Sequence, residues 1–546
     1  MKRVERFLRT GACPCCAGTR LNERARAPRL MGISLPDTCT KTLSELEDWV
    51  SAVPSSMPAE MKAMAENICE SFHDTSRRLL DLGLGYLTID RPTSTLSTGE
   101  RQRAQMARSV RNRTTGVLYV LDEPSIGLHP SNIDGLISVM DALIEDGNSI
   151  VLVDHDTRIL SRSDWIVELG PASGKDGGTV IAEGDVESIK KDPHSRIGRF
   201  LRGESAVPAA TPGEDMFARG CITMSTSRIH TVKPLDVRIP RGRLVTVTGM
   251  SGSGKTTMVL ESLVPALQTV LKGEALPPHV LSADPCGIET VNLIDASPIG
   301  INIRSTVATY SGVHDELRKL FAKTASAGKR GVRTGDLSYN TGKLRCPVCD
   351  GTGSVSLDVQ FLPDVDIPCP ECGGSRYRKE VDDIRLGLDG GDVSLPEMMR
   401  MSVDEALGIC ARERQLASRL RMLSDVGLGY LTLGESTPGL SGGEAQRLKL
   451  ASEMGKTQKN TLYVFDEPTI GLHPLDVGVL MGIFRRLVSE GATVLVIEHD
   501  LDVIRASDYI IDMGPRGGEE GGRITVAGTP EQVRSCRESV TGRYLR

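Results

Sequence analysis

Aromatic side chains are scarce, at 3% of 546 residues with two tryptophans, which leaves too few rings for an extended platform stacking on unpaired bases. No run of 18 or more apolar residues occurs, and the Met1 to Thr10 segment is charged where a secretory signal would be apolar. A cytoplasmic protein without a membrane span is therefore expected. The net charge of -6 is too small and of the wrong sign for nonspecific polyanion binding by the whole molecule, so a nucleic-acid surface has to be a local patch. Thirteen cysteines in a reducing compartment do not suggest a disulfide framework. Clustered ones point to metal, and Cys39, Cys69, Cys221, Cys286, Cys410 and Cys536 read as scattered core residues.

A further absence is more specific. The phosphate loop Gly249-Met250-Ser251-Gly252-Ser253-Gly254-Lys255-Thr256 occurs once, yet every later element that such a loop requires occurs twice. Leu96-Ser97-Thr98-Gly99-Glu100 matches Leu440-Ser441-Gly442-Gly443-Glu444, Leu121-Asp122-Glu123-Pro124 matches Phe465-Asp466-Glu467-Pro468, and His155-Asp156 matches His499-Asp500, each pair 344 positions apart. The chain reads as an internal duplication with one half shortened, and a first loop at the same spacing would precede Met1.

Leu244 to Thr248 is a β-branched run feeding the loop, and Lys255 to Lys272 has helical apolar spacing, which gives strand, loop and helix in the order phosphate binding needs. Leu462 to Phe465 and Thr493 to Ile497 read as buried parallel strands of the same sheet, with Leu118 to Leu121 and Ile150 to Val153 as their first-half counterparts. Nearly 190 residues between the loop and Leu440 imply an inserted domain. The expected fold class is α/β, with tandem P-loop ATPase cassettes, the first incomplete, and an inserted zinc-binding domain. The expected division is 1-80, a remnant with half a zinc knuckle; 81-201, the later part of the first cassette; 202-220, a linker; 221-265, the start of the second cassette; 266-420, the insertion; and 421-546, the rest of the second cassette.

Backbone N–H groups of Gly249, Ser251, Gly252, Ser253 and Gly254 are suited to encircling phosphate oxygens at a helix N-terminus, with Lys255 reaching the terminal phosphates and Thr256, followed by Thr257, at the Mg²⁺. Asp466 ends an apolar strand and is placed to hold the metal, Glu467 to orient or deprotonate water, and His499 to contact the γ-phosphate. Singly, each acid could be a cap or a solvated charge, and His499 a satisfied strand-end histidine. Together they resemble the ATP-binding-cassette ATPases. In that class two cassettes sandwich two nucleotides, and the signature of one, here Ser97, Gly99 and Glu100, faces the ATP held by the other.

Gly83-Leu84-Gly85-Tyr86-Leu87-Thr88 and Gly427 to Thr432, Ser125 to Pro130 and Thr469 to Pro474, and Phe361-Leu362-Pro363-Asp364-Val365 narrow the resemblance to the UvrA family, the damage-sensing ATPases of bacterial nucleotide excision repair. The resemblance implies ATP, Mg²⁺ and Zn²⁺ as cofactors, duplex DNA as partner, and a part in DNA excision without nuclease activity of its own. A UvrB-like partner also follows from the family, although its docking region falls in the stretch missing here. A homodimer or a complementing amino-terminal chain is the further expectation.

Cys346-Pro-Val-Cys349, nineteen residues, then Cys369-Pro-Glu-Cys372 has the spacing of a tetrahedral zinc site, and four thiolates leave no open coordination position. Cys13-Pro-Cys15-Cys16-Ala17-Gly18-Thr19-Arg20 repeats the second knuckle alone, and Cys13 and Cys16 are expected to bind zinc only if another chain completes the set. Arg318, Lys319, Lys323, Lys329, Arg330, Arg333, Lys343 and Arg345, with Arg376, Arg378 and Lys379 beyond the ligands, form a basic stretch that suits duplex phosphates. A solvated basic face is the alternative on charge alone.

Two substitutions depart from the family pattern at the site that owns the loop. Ala296 stands where the family has a glutamine linking Mg²⁺ to the inserted domain, and Thr98 replaces the first signature glycine, adding a Cβ where backbone approaches phosphate. One nucleotide per chain and slow turnover are the expectation. A noncatalytic DNA-binding scaffold is the rival reading, and an exporter-associated ATPase a weaker one.

Overall fold

A computed structural model describes residues 11, 13–96, 98–111, 115–171, 177–205, 207–208, 215–295, 299, 302–357, 365–389, 391–454 and 458–545. Met1 to Thr10, Ser97, Ala296, the motif Phe361 to Asp364 and part of the 202–220 connector lie outside the described residues.

The first half begins with paired helices at Leu43–Ser56 and Ala59–Asp81, which bury Val50, Val53 and Cys69 between them. Thr42 starts the earlier helix with a reciprocal cap, its hydroxyl accepting from the Glu45 N–H while the Glu45 carboxylate accepts from the Thr42 N–H. Next come α1 (Thr98–Arg111), β1 (Leu118–Asp122), α2 (Pro130–Glu145), β2 (Ser149–Val153), β3 (Ile166–Gly170) and β4 (Thr179–Gly184). β1 and β2 pair in parallel and β3 and β4 antiparallel, as two separate two-stranded sheets. The inner side chains of β1 and β2, among them Tyr119, Leu121, Ile150 and Leu152, pack with Ile133, Leu136, Met140 and Leu143, all from α2.

The second half carries β5 (Leu244–Gly249), α3 (Val264–Lys272), β6 (Thr290–Ile294), α4 (Gly442–Met454), β7 (Thr461–Asp466), α5 (Pro474–Ser489), β8 (Thr493–Ile497), β9 (Tyr509–Gly514), β10 (Arg523–Gly528) and α6 (Val540–Tyr544). One six-stranded sheet runs in the order β6-β7-β8-β5-β9-β10, parallel throughout except at β10. β5, β8 and β9 are buried along their whole length, as the unbroken apolar runs of a sheet covered on both faces require. Phe484, Leu480 and Leu487 of α5 cover one face and Met258, Leu263 and Leu267 cover the other. β1 to β4 fall 344 positions before β7, β8, β9 and β10, so the duplication seen in the motifs extends to the strands.

Among the described residues the stretch between α3 and α4 holds the strand Val280–Asp284, β6, eight helical segments and two short antiparallel pairs, Ser354–Leu357 with Val365–Pro368 and Arg385–Leu388 with Gly391–Ser394. Its buried Tyr339, Tyr377 and Phe321 join the large core that continues into the α5 side of the sheet. Among the described residues no helix is long and apolar enough to cross a membrane.

Candidate nucleotide site

β5 delivers the chain to Gly249, whose φ of 131° and whose close approach to Met513 O, 2.0 Å from where a Cβ would sit, leave room only for glycine. The loop then closes around Lys255, whose Nζ donates to Gly249 O at 2.8 Å and Met250 O at 3.0 Å. Burial pulls the Lys255 ammonium down to about 8, against the opposing pull of Glu467, Asp512 and Asp466. The helix expected from Lys255 opens instead as a π-helix over Thr257–Leu263 before α3 begins, a widened turn of the kind found at functional sites. Thr256 occupies its N-cap position, and the Thr257 hydroxyl donates to Glu261 Oε1 at 3.1 Å.

Asp466 ends β7, and Glu467 follows in the left-handed region with φ 46°, its N–H donating to Ile497 O at 2.9 Å. Burial pushes the Asp466 carboxyl up to about 6, helped by the nearby Glu467 and Asp295 charges. His499, just past β8, sets Nε2 3.4 Å from Glu467 Oε1. Burial, then the Lys255 and Arg103 cations, hold its imidazole well below its ordinary value and so neutral. Its Nδ1 and the Ser253 hydroxyl are buried without a hydrogen-bond partner among the described residues, a pair of polar atoms that a phosphate ligand could satisfy. Lys255, Asp466, Glu467 and His499 thus converge at the carboxyl edge of the sheet, the place where parallel α/β sheets bind ligands.

The first half repeats the geometry without a loop. Glu123 has φ 46°, its N–H donates to Val153 O at 2.8 Å, and His155 Nε2 stands 3.6 Å from Glu123 Oε1. The wetting differs, since the side chain of His155 is 37% exposed and that of His499 8%.

The halves meet face to face. A Cβ on Gly252 would stand 2.7 Å from the Tyr86 ring, so the first half's Tyr86 lies on the phosphate loop, and its hydroxyl donates to Glu100 Oε1 at 2.5 Å. Gly127 and Gly471 reach across reciprocally: a Cβ on either would stand 3.3 Å from a carboxylate oxygen of Glu467 or Glu123, respectively. A cavity of about 430 Å³ lies between them, lined by both glutamates and both histidines. Arg103 of α1 is buried, donates to Ile126 O at 3.3 Å and is one of the cations acting on Glu467. His129 caps α2 through Nδ1, so its Nε2 carries the proton and donates to Thr541 Oγ1 at 3.1 Å; that hydroxyl in turn donates to Asp512 Oδ1 at 2.9 Å on β9.

Arg103, His129 and Asp512 were not among the expected site residues. The 344-residue repeat could have flagged the first two, which recur as Arg447 and His473. Glu100 is buried in the first turn of α1, where Gly99 also lies, whereas Ser97 is outside the described residues. In the second signature the Ser441 hydroxyl accepts from the Glu444 N–H at 3.3 Å and so caps α4.

The four cysteines of the insertion come together, with Cys346 Sγ 3.9 Å from Cys369 Sγ, Cys349 Sγ 3.7 Å from Cys372 Sγ, and all four sulfurs within 4.8 Å of one another. Tetrahedral zinc with sulfur at about 2.3 Å requires sulfur separations of about 3.8 Å, so the residues fit that ion. Cys13 is exposed and Cys16 half-buried, and neither joins such a set among the described residues. The basic stretch divides. Arg376 is buried with its guanidinium over the Tyr339 ring and serves the fold, which removes it from the surface expected to meet phosphates. Arg318, Lys319, Arg330, Arg345 and Lys379 have acidic neighbours, whereas Lys323, Lys329, Arg333, Lys343 and Arg378 are exposed.

No family model matches the chain. It is 42% identical over 546 residues to the UvrABC system protein A of Thermus thermophilus, covering 99% of this chain and 57% of that protein. The corresponding protein of Aquifex aeolicus is 39% identical, with 100% and 59% covered. The chain thus spans somewhat more than half the length of these curated relatives. The crystal structure of UvrA2 from Deinococcus radiodurans superposes with a TM-score of 0.89 at 38% identity, covering 100% of this chain and 67% of that one. With the duplicated cassette halves, the inserted four-cysteine module and this likeness along the whole chain, the protein belongs to the UvrA family.

Proposed function

We propose that the chain is an ATP-binding-cassette ATPase that binds duplex DNA in nucleotide excision repair and turns over ATP at one composite site. The observation that carries this reading is the seating of first-half Tyr86, Arg103 and Gly127 against second-half Gly252 and Glu467, because a cassette site is complete only when both halves face one nucleotide. In this reading Lys255 and the Gly249 to Thr256 loop bind the ATP phosphates, Thr256 and Asp466 hold Mg²⁺, Glu467 orients or deprotonates water, and His499 donates to the γ-phosphate. Ser97, Gly99 and Glu100 complete the site from the other half. The zinc module holds Lys323, Lys329, Arg333, Lys343 and Arg378 as a patch for backbone phosphates, and recognition rests on the deformability of damaged duplex rather than on stacking. A UvrB-like partner is part of the same proposal.

The test is ATP turnover by the purified chain beside Lys255→Ala, with and without lesion-bearing duplex. Turnover lost in the variant and changed by duplex supports the proposal. Equal rates in both proteins would favour a noncatalytic DNA-binding scaffold, the reading toward which Thr98 and Ala296 point.

A further inference from the structure

The halves touch along two related seams whose chemistry differs. Where α2 of the first half meets α6 of the second, buried His129 donates through Nε2 to Thr541 Oγ1, and Thr541 donates to Asp512 Oδ1. Beside this chain the Tyr544 hydroxyl donates to Asp134 Oδ2 at 3.0 Å. The same positions of the opposite seam, offset by 344, carry His473, Ile197, Glu168, Phe200 and Gly478. Ile197 has no hydroxyl to accept from His473, whose ring meets Phe200 edge-on with centroids 6.0 Å apart, and Phe200 with Gly478 cannot replace the Tyr544–Asp134 bond. Glu168 is held within its own half, by the Ser195 hydroxyl and the N–H groups of Arg196 and Ile197. One contact is therefore apolar at one seam and hydrogen-bonded at the other.

The hydrogen-bonded seam lies at the phosphate loop. Asp512 on β9 stands in register with Thr248 and Met513 with Gly249, beside the end of β5 that enters the loop. Its carboxylate also accepts from Ser539 Oγ at 2.6 Å, and its charge and that of Lys255 bear on each other. His129, Thr541 and Asp512 are 0 to 3% exposed, so losing the Thr541 hydroxyl would strand an imidazole N–H and a carboxylate oxygen away from water. We propose that Thr541 and Asp512 are positioning residues of the Lys255 site, tying the loop-bearing half to His129 of the other half, so that ATP hydrolysis depends on them and ATP binding does not. The split follows from where the groups sit: the loop, Lys255 and Asp466 all belong to the second half and can hold nucleotide alone, whereas hydrolysis needs the first half seated against them. The inference rests on the proposed ATPase reading, but it can fail separately.

The test compares Thr541→Val and Thr541→Ser with the parent chain. Thr541→Val keeps the shape and removes the hydroxyl, and should lower kcat about tenfold while KM for ATP stays within about twofold. Thr541→Ser, which restores the hydroxyl, should return kcat to within about twofold of the parent, a rescue that a role in packing alone would not give. Hydrogen exchange read by mass spectrometry gives a measure that needs no turnover. Mg²⁺-ATP should slow exchange in residues 127–136 and 538–545 together in the parent and in Thr541→Ser, and residues 127–136 should stop responding in Thr541→Val. A kcat for Thr541→Val within twofold of the parent, a serine variant as slow as the valine one, or residues 127–136 still responding in Thr541→Val would overturn the proposal. Turnover abolished by Lys255→Ala yet indifferent to Thr541→Val would sink this inference alone, whereas the joint exchange response with turnover indifferent to Lys255→Ala would sink the proposed activity alone.

Discussion

Leu495 and Val151 occupy the same place in two copies of one strand, yet the first is fully buried and the second 52% exposed. Both sit in parallel β-structure followed by an Asp or Glu turn and a histidine, so local sequence makes the strand and fixes the turn in both halves. What the first half lacks among its described residues is the central strand and the helix behind it. The comparison shows that strand identity, the positive φ at Glu123 and Glu467, and the carboxylate–imidazole approach are local properties, whereas burial is not. Desolvation follows burial and shifts ionisation, so the lowered Lys255 and His499 and the raised Asp466 all belong to the half whose sheet is closed.

The largest effect that tests the asymmetry concerns the metal. Cys349→Ser should remove the bound zinc and unfold the inserted module, since structural zinc contributes about 10 kcal/mol or more to such folds, while Cys13→Ser should leave metal content unchanged. Metal analysis by emission spectroscopy would show one zinc per chain in the parent and in Cys13→Ser. A drop in the latter would mean that the half knuckle has found partners.

Catalysis comes next. Glu467→Gln should lower ATP turnover by about 10² to 10⁴-fold, the usual contribution of a positioned proton acceptor, while Glu123→Gln should change it little in the isolated chain. Steady-state phosphate release reads both. Turnover that tracks Glu123 instead would reverse the assignment of the working half.

A smaller contrast lies in the cores. Leu495→Ala should destabilise the protein by about 2 to 5 kcal/mol, whereas Val151→Ala, on the bare face, should stay within about 0.5 kcal/mol. Denaturant unfolding of both variants measures the difference. A large loss from Val151→Ala would mean that the face is covered in the isolated chain.

Much of this was legible in the sequence because it lies in short contiguous motifs. The phosphate loop needs Gly249 for its φ, the strands leading to Asp466 and His499 are unbroken apolar runs, and the four-cysteine spacing marks the cluster that the fold brings together. The bare face was not legible, because Leu118, Val120, Val151 and Val153 are as apolar as their buried counterparts and hydropathy cannot tell a covered strand from an exposed one. Arg376 reads as one more basic residue, and only the fold turns it inward over Tyr339. The π-helix after the loop has no composition signal either, since Thr257 to Leu263 is equally compatible with an α-helix. The reach of His129 to Thr541 spans 412 positions and depends wholly on how the halves face each other.

The smallest predicted effect belongs to the inserted module, which has no full counterpart in the first half. His314 is buried there, and Tyr377 fixes its tautomer. The Tyr377 hydroxyl donates to Leu337 O at 3.0 Å, so it can only accept from His314 Nε2–H, at 2.7 Å. Burial first, then the Arg318 and Arg376 cations, lowers this imidazole to about 3, with Asp315 opposing. The folded state therefore keeps His314 neutral while the unfolded chain takes up a proton near 6.5. Between those values the unfolded state binds more protons, so stability rises with pH; the contribution is fully present above about 6.5 and is lost as pH falls toward 3. At pH 5.5 the loss is about 1.4 kcal/mol. His314→Gln, whose amide N–H can still reach Tyr377, should flatten that slope while leaving the His499 side of the molecule unaltered. Denaturant midpoints between pH 5.5 and 7.5 would show it, and an unchanged slope in the variant would mean that the acid sensitivity lies elsewhere, with buried His129 and His499 as the next groups to replace.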